Sequence, residues 1–309
     1  MHCELVVPGL LDSRTRTAGA RPASLELLVA RGRRSKTPPQ SLERWLQQAF
    51  GLEGRFAAGA LSVLGAGGAP GDAIWTRADP VHMQVMRDRV VLAPAAAFPL
   101  ARGDADTLCQ AVNAHFAGAL ELRAIDPSRW CARLESEIEV GDEPPLDMAG
   151  REATQRPGDV LLTEIQMLLH GHPVNEAREA RGEPAVNSLW FWGAGRLPGK
   201  AENRWQSVTS DDPIALGMAR NSDAAARPVP ASASAWLSHT PEDGRHVVIL
   251  DPASESLERD WFAPLAAALR AGRIGMLSLH VPDAGLSFET VRGDLRRFWR
   301  RPKALETYA

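Results

Sequence analysis

The chain has 309 residues, enough for one large domain or two ordinary ones, and its 44% hydrophobic and 24% charged residues are the balance of a folded globular protein. A formal net charge of −3 supplies no global attraction to nucleic acid or to an anionic membrane. No apolar run approaches the roughly 20 residues of a membrane span, and the polar start Met1-His2-Cys3-Glu4 is unlike a signal peptide, so a cytoplasmic location is expected.

In chain order, Cys3 to Pro8 is a short apolar run that suits a first strand and stops at Pro8-Gly9. Ser24–Ala30 predicts a helix, and the basic run Arg31-Gly-Arg-Arg-Ser-Lys36 a solvated loop, with an anion-attracting lip as the alternative. Ser41–Phe50 predicts a helix capped by Ser41, and Phe56–Leu64 another. The glycine cluster Gly65–Gly71 reads as a linker or a close-approach loop. Strands follow at Ala73–Arg77, Val81–Met83 and Arg89–Leu92. Arg77 and Asp79 share one face of an extended chain there, so they predict a self-satisfied ion pair, with His82 close by. A helix over Asp104–Leu120 precedes strands at Leu120–Arg123 and Trp130–Leu134, and the acidic, proline-bearing Glu135–Asp147 predicts an exposed loop.

The densest collection of chemically capable residues runs from Asp159 to Pro198. An amphipathic helix carries Val160, Leu161, Ile165, Leu168 and Leu169 at helical spacing and closes at His170 and His172. Pro173 opens a second helix bearing Asn175, Glu176, Arg178 and Glu179, and Gly182 stops it. Ser188–Trp192 predicts a buried strand that ends in the turn Gly193-Ala-Gly195-Arg196. The histidines could cap a helix terminus or bind a ligand, though side chains two apart on a helix do not face one direction as metal ligands must. The glycine turn could offer backbone amides to a phosphate.

Beyond this stretch the sequence predicts a polar linker at Lys200–Asn203, a helix near Pro213–Ala219, and a flexible surface connection over the Ala-, Pro- and Ser-rich Ala224–Ser234. His246–Leu250 reads as a strand, Leu257–Ala271 as a helix, Gly275–His280 as a strand and Phe288–Trp299 as a last helix. Strand, helix, strand at this spacing implies a parallel sheet, with Asp251 and Asp283 at the carboxyl ends of two strands. The basic Arg292–Lys303 tail predicts a solvated helix end, with a contact to an acidic partner or to nucleic acid as the alternative. Cys3, Cys109 and Cys131 fit neither a disulfide framework nor a zinc motif and are expected as buried reduced thiols. Of the nine Trp, against one Tyr, several that lie in apolar segments, including Trp190 and Trp192, are expected in the core.

The segment HPVNEAREARGEPAVNSLWFWGAGRLP, with PGDAIWTRADPVHM upstream, resembles the RpfE-type regulatory protein family of bacteria, which is tied to control of virulence factors. It also resembles cofactor-independent phosphoglycerate mutases of the archaeal type, members of the alkaline phosphatase superfamily, through His172-Pro-Val-Asn175, Arg178, Gly182, Pro184-Ala-Val-Asn187 and Gly193-Ala-Gly195. That resemblance implies two divalent metals and a serine nucleophile. The family's opening strand ends in Pro-Asp-Gly with a metal-binding Asp, where this chain has Val7-Pro8-Gly9. Pro282-Asp283 matches a later ligand motif, but Ser287 stands where a metal-binding His belongs, and the final Asp-His pair has no counterpart.

The resemblance therefore implies an α/β protein: an alkaline-phosphatase-like, mostly parallel core with helices on both faces, formed by residues 1–68 and 186–309, plus an inserted α/β domain at 69–185 like that of the mutases. The expected function is non-catalytic regulation or interaction through a protein partner or a small phosphorylated ligand, with no cofactor and no membrane, and with near-neutral charge arguing against nucleic acid. Candidate ligand-binding residues are Arg77, Asp79, His82, His172, Asn175, Arg178, Asn187 and Arg196, and Asp283 is the remnant metal position. The alternative is a metal-dependent phosphatase or phosphotransferase with a rearranged site that holds a divalent metal such as Mn or Zn on Asp251, His280 and Asp283.

Overall fold

The computed structural model describes residues 1–12, 22–85, 90–149, 159–254 and 256–308, and the chain divides into two units, Met1–Leu52 with Lys200–Ala309 and Glu53–Gly199. In the first unit the apolar run at the start of the chain forms β1 (His2–Val6), followed by α1 (Ala23–Arg31). The basic run expected as a loop instead forms an edge strand, β2 (Arg33–Lys36), exposed at every residue, because its backbone pairs antiparallel with a later strand. Ser41 caps α2 (Leu42–Ala49) by accepting the Arg44 N–H, as its position predicts.

The second unit contains α3 (Ala58–Gly65), β3 (Ile74–Val85), β4 (Val90–Pro94), α4 (Arg102–His115), β5 (Leu120–Asp126), β6 (Arg129–Leu134), α5 (Asp159–His170), α6 (Pro173–Ala180) and β7 (Ser188–Gly195). Two strands expected separately are one twelve-residue strand, β3, that runs through Pro80. Pro80 falls between the end of the β6 pairing at Arg77 and the start of the β4 pairing at Val81, where that edge needs no ladder donor. Arg89, expected at the head of β4, lies outside the described residues. The sheet is antiparallel throughout, in the order β4-β3-β6-β5, with β7 on the other edge of β3. Strand alternation sends Ile74 and Ala78 into a core with Leu108, Val112, Trp130, Leu169 and Phe191, while Trp75 packs on the other face with Ala60 and Val63 of α3.

The chain returns to the first unit with β8 (Ser207–Thr209), α7 (Pro213–Asn221), β9 (Ala225–Arg227), α8 (Ala233–His239), β10 (Arg245–Ile249), α9 (Ala263–Ala271), β11 (Met276–Val281) and β12 (Leu286–Val291). The order of the seven strands is β2-β12-β11-β1-β10-β8-β9; those from β11 to β9 are mutually parallel, and β12 pairs antiparallel with both β11 and β2. Cys3, Leu5 and Val7 face a core built with Leu25, Leu28, Trp236, Phe262, Leu265 and Phe288 from α1, α8, β12 and the α9 region. On the opposite face α2 sets Trp45 against His280, with ring centroids 5.4 Å apart. Helices thus cover both faces of a mostly parallel sheet, the arrangement such sheets require.

Three expectations about the fold change. Ala224–Ser234 is not a structureless connection, since it supplies β9 and the Ser232 cap of α8. Phe288–Trp299 is not a helix, since Leu286–Val291 alternates buried and half-buried along a strand and only a short 3-10 turn, Arg292–Arg296, follows. The divisions fall at 52/53 and 199/200, whereas the sequence suggests 68/69 and 185/186, because α3 packs on β3 and β7 hydrogen-bonds to it. Among the described residues no helix is long and apolar enough to cross a membrane.

Candidate functional site

Open parallel sheets bind ligands beyond the carboxyl ends of their strands, which directs attention to the ends of β1, β10 and β11. β1 runs out at Val7-Pro8-Gly9, β10 at Asp251 and β11 at Pro282-Asp283. Each carboxylate serves the adjoining turn. Asp283 Oδ1 accepts the Gly9 N–H at 2.7 Å, and Asp251 Oδ1 accepts the Ala253 N–H at 2.9 Å. Beyond β8, Asp212 Oδ1 accepts two N–H groups, from Ile214 and Ala215, at 2.9 and 3.0 Å, and so caps α7.

His280 does not join Asp283. Its ring packs tilted against Trp45, and Nε2 lies 3.7 Å from Glu4 Oε2, too long for a hydrogen bond. Ser287 bonds Ser35 across the β12–β2 pair at 2.9 Å. Two divalent metals, which the mutase resemblance implies, need several oxygen or nitrogen donors around each ion. Among the described residues no three His, Cys, Asp or Glu side chains form a group that could hold a metal ion.

Beside these strand ends the loop Thr37–Gln40 is tied to the turn after β11 by Thr37 N–H to Gly285 O at 2.8 Å and Gln40 N–H to Pro282 O at 3.0 Å. Gly285 has φ +61° and a Cβ there would lie 2.1 Å from Thr37 O, so this approach requires glycine. A cleft of about 480 Å³ opens over that loop, lined by Thr37–Ser41, Arg44 and Gln48. It offers an exposed guanidinium, two hydroxyls and two side-chain amides. Among the described residues its lining includes no His or carboxylate to activate a hydroxyl. The sequence alone does not predict this cleft; Pro38-Pro39 before the Ser41 cap is the one signal it carries.

A second polar cluster absent from the sequence expectations centres on Glu4, a single carboxylate in an apolar strand. It is 5% exposed and accepts from Arg245 Nη2 at 2.7 Å and Trp205 Nε1 at 3.0 Å. Burial alone would raise this carboxyl, but His280, Arg245 and Trp205 together hold it down at about 2.

The candidates of the second unit are brought together as structural networks. Arg77 and Asp79 are 3% and 2% exposed and share one face of β3, as predicted. Asp79 accepts from Arg77 Nη2 at 2.6 Å and Nε at 3.1 Å, from the Trp130 N–H at 3.1 Å and from Trp192 Nε1 at 2.8 Å, while Arg77 also reaches Ser62 of α3 at 3.3 Å. Burial pushes the Asp79 carboxyl upward, and its donors oppose this. With four N–H donors around it, the group is held as a carboxylate.

Asn175 bridges Leu169 O and both backbone groups of Val186 at 2.8–2.9 Å, and His172 caps α6 by accepting the Val174 N–H. Arg178 is 1% exposed, donates to Pro184 O and Pro99 O, and faces Glu183 at 3.3 Å and Asp104 at 3.5 Å. His82 Nδ1 donates to Ala185 O, and the Asn187 amide pairs with both backbone groups of Met83. Arg196 is exposed beyond β7. The glycine turn does not present an open cradle: the Gly193 N–H is used by Gly141 O at 2.9 Å, and at φ +57° a Cβ on Gly193 would sit 2.4 Å from the Ala58 methyl.

A shallower cleft of about 520 Å³ in this unit is lined by Ala69–Ala73, Trp75, Arg123 and Arg133, but Glu121 lies 2.7 and 3.9 Å from the two guanidinia and balances them locally. All three cysteines are buried free thiols, and burial pushes Cys109 and Cys131 up to about 12, away from nucleophilic use.

No family model and no curated protein matches this sequence. Solved structures do resemble the fold. The PH0037 protein from Pyrococcus horikoshii superposes with a TM-score of 0.57 at 14% identity, covering 94% of this chain and 87% of that one. A cofactor-independent phosphoglycerate mutase from Thermoplasma acidophilum DSM 1728 gives a TM-score of 0.47 at 18% identity over 94% and 90% of the two chains. At such identities the likeness is one of fold.

Proposed function

We propose that this chain is a non-catalytic regulatory or interaction protein, built on an alkaline-phosphatase-type core with a mutase-like inserted unit, that acts by binding a phosphorylated small molecule. The observation that carries this reading is the use of Asp251 and Asp283: each bonds a backbone N–H of a turn. Pro8 and Ser287 stand at two positions where the mutase resemblance asks for metal ligands, which supports the same reading. The regulatory role follows from the RpfE-type resemblance of the His172–Pro198 segment.

The ligand's place shifts with the geometry. Arg77 and Arg178 are buried and engaged by the protein, so they support unit architecture. Arg44, beside Thr37 and Ser41, is an exposed cation at the carboxyl side of the parallel sheet, and a guanidinium fork suits phosphate oxygens.

The test is a thermal-shift screen of phosphorylated metabolites and nucleotides, run together with metal analysis and a phosphatase assay on the same preparation. Stabilisation by a phosphorylated compound, lost in Arg44→Ala, is the expected result. A stoichiometric Mn or Zn with phosphatase turnover overturns the non-catalytic reading, and a folded protein that shifts with nothing in the panel overturns the sensor.

A further inference from the structure

Two basic runs from opposite ends of the chain meet on one surface of the first unit. Arg297 Nη1 donates to Arg31 O at 3.2 Å and Arg300 Nη1 to Gly32 O at 2.9 Å, joining residues 266 and 268 positions apart. Arg34 Nη2 donates to Tyr308 O at 3.0 Å, and Arg31 reaches Leu295 O. These acceptors are neutral carbonyls, so they fix the guanidinia in place without cancelling their charge. Arg33 and Arg297 also have carboxylate partners, Glu289 and Asp294. Lys36, Arg292, Arg296, Arg301 and Lys303 are exposed around them. Ten of the chain's 35 Lys and Arg thus lie in two short segments of a molecule whose net charge is −3. The near-neutral total conceals a strongly positive surface.

Two aromatic rings stand out of that surface. Phe298 and Trp299 are 78% and 67% exposed, edge to face with centroids 5.3 Å apart, and are flanked in sequence by Arg296-Arg297 and Arg300-Arg301. Cations on an edge strand such as β2 have an ordinary purpose, since charge there blocks strand-to-strand aggregation. That purpose does not require two large rings in water, where their burial is forgone. The arrangement of rings framed by paired cations matches what an unstructured polyanion with flat aromatic faces needs: phosphates on the guanidinia and bases on the rings.

We infer that this surface binds single-stranded nucleic acid, independently of the reading given to Asp251 and Asp283. A duplex is disfavoured because the rings sit in the turn that follows the short 3-10 helix Arg292–Arg296, and neither ring is carried on a helix or strand that could enter a groove. An anionic membrane is disfavoured because interfacial binding scales with apolar area; the other large exposed hydrophobics among the described residues, Leu146, Val160 and Met167, belong to the other unit. An acidic peptide matches the charge but does not carry a flat face at every repeat as a nucleotide strand does.

The experiment is fluorescence anisotropy of labelled oligo(dT) and oligo(U), about a dozen nucleotides long, with the full chain and two double variants, Phe298→Ala/Trp299→Ala and Arg296→Ala/Arg301→Ala. Both variants alter exposed side chains and should melt like the parent. Binding should weaken steeply between about 50 and about 200 mM salt. The aromatic variant should lose about tenfold or more in affinity with the salt slope unchanged. The arginine variant should show a shallower slope, by about 0.7 for each phosphate it no longer neutralises. Absence of binding at low salt, or affinity indifferent to both variants in folded protein, overturns the inference. Equal competition by a duplex overturns the stacking role, and tighter binding to phosphatidylserine vesicles than to either oligonucleotide assigns the surface to membranes instead.

Discussion

Arg77 and Asp79 in the antiparallel unit, and Asp251 and Asp283 at the edge of the parallel one, are charged residues of the kind that marks a functional site, yet they live in opposite surroundings. The first two are almost wholly buried and saturate each other with help from Trp130 and Trp192. The second two are exposed, and each accepts a backbone N–H from a turn. A buried charge must be paired and hydrogen-bonded before the unit can fold, so its partners are committed. An exposed carboxylate is under no such demand. Residue types that look catalytic in a sequence therefore divide by solvation, and here the denser collection belongs to architecture.

Substitutions can break that contrast, beginning with the largest expected effect. Asp79→Ala leaves Arg77 buried without its carboxylate and strands two N–H donors, and should destabilise the protein by about 3–5 kcal/mol in denaturant unfolding. A loss below about 1 kcal/mol would show that water or another partner reaches the site.

Glu4 comes next. Its carboxyl titrates at about 2 in the folded protein against an ordinary 4.5, so the unfolded chain takes up the proton first as pH falls. Its contribution is complete above about pH 4.5 and disappears toward about pH 2, on the order of 3 kcal/mol in all. Glu4→Gln should flatten the stability profile in that window; an unchanged profile removes Glu4 as its source. Asp212→Ala, which uncaps α7, should cost about 1 kcal/mol in the same unfolding assay. Asp283→Asn keeps an acceptor for the Gly9 N–H and should stay within about 0.5 kcal/mol of the parent. A loss of several kcal/mol there would mean the carboxylate carries a charge interaction that the geometry does not reveal.

The legible part of the fold is the part where a single face is buried. β1, α1, β10 and β11 follow from apolar runs and helical spacing, and the α2 start follows from Ser41. β2 is illegible because Arg33-Arg-Ser-Lys36 buries nothing; only its backbone pairing with β12 makes it a strand. β12 is masked although Leu286-Ser-Phe-Glu-Thr-Val291 alternates, because the arginines and aromatics after it suggest a helix. For the candidate site, the Arg77–Asp79 pairing can be inferred from period-two spacing on one strand, and the His172 cap from Pro173. The Asn175 bridge cannot, since it joins α6 to residues 169 and 186 by tertiary contact. Neither can the joined basic surface, whose halves are 266 and 268 residues apart where they touch.

The central claim is that Asp251 and Asp283 serve turns and do not hold catalytic metals. Calorimetric titration of the purified full chain with Mn and Zn, repeated on Asp283→Asn, addresses it most directly. The account predicts no saturable site that the substitution removes. One or two equivalents bound with a defined affinity and lost in Asp283→Asn would contradict it.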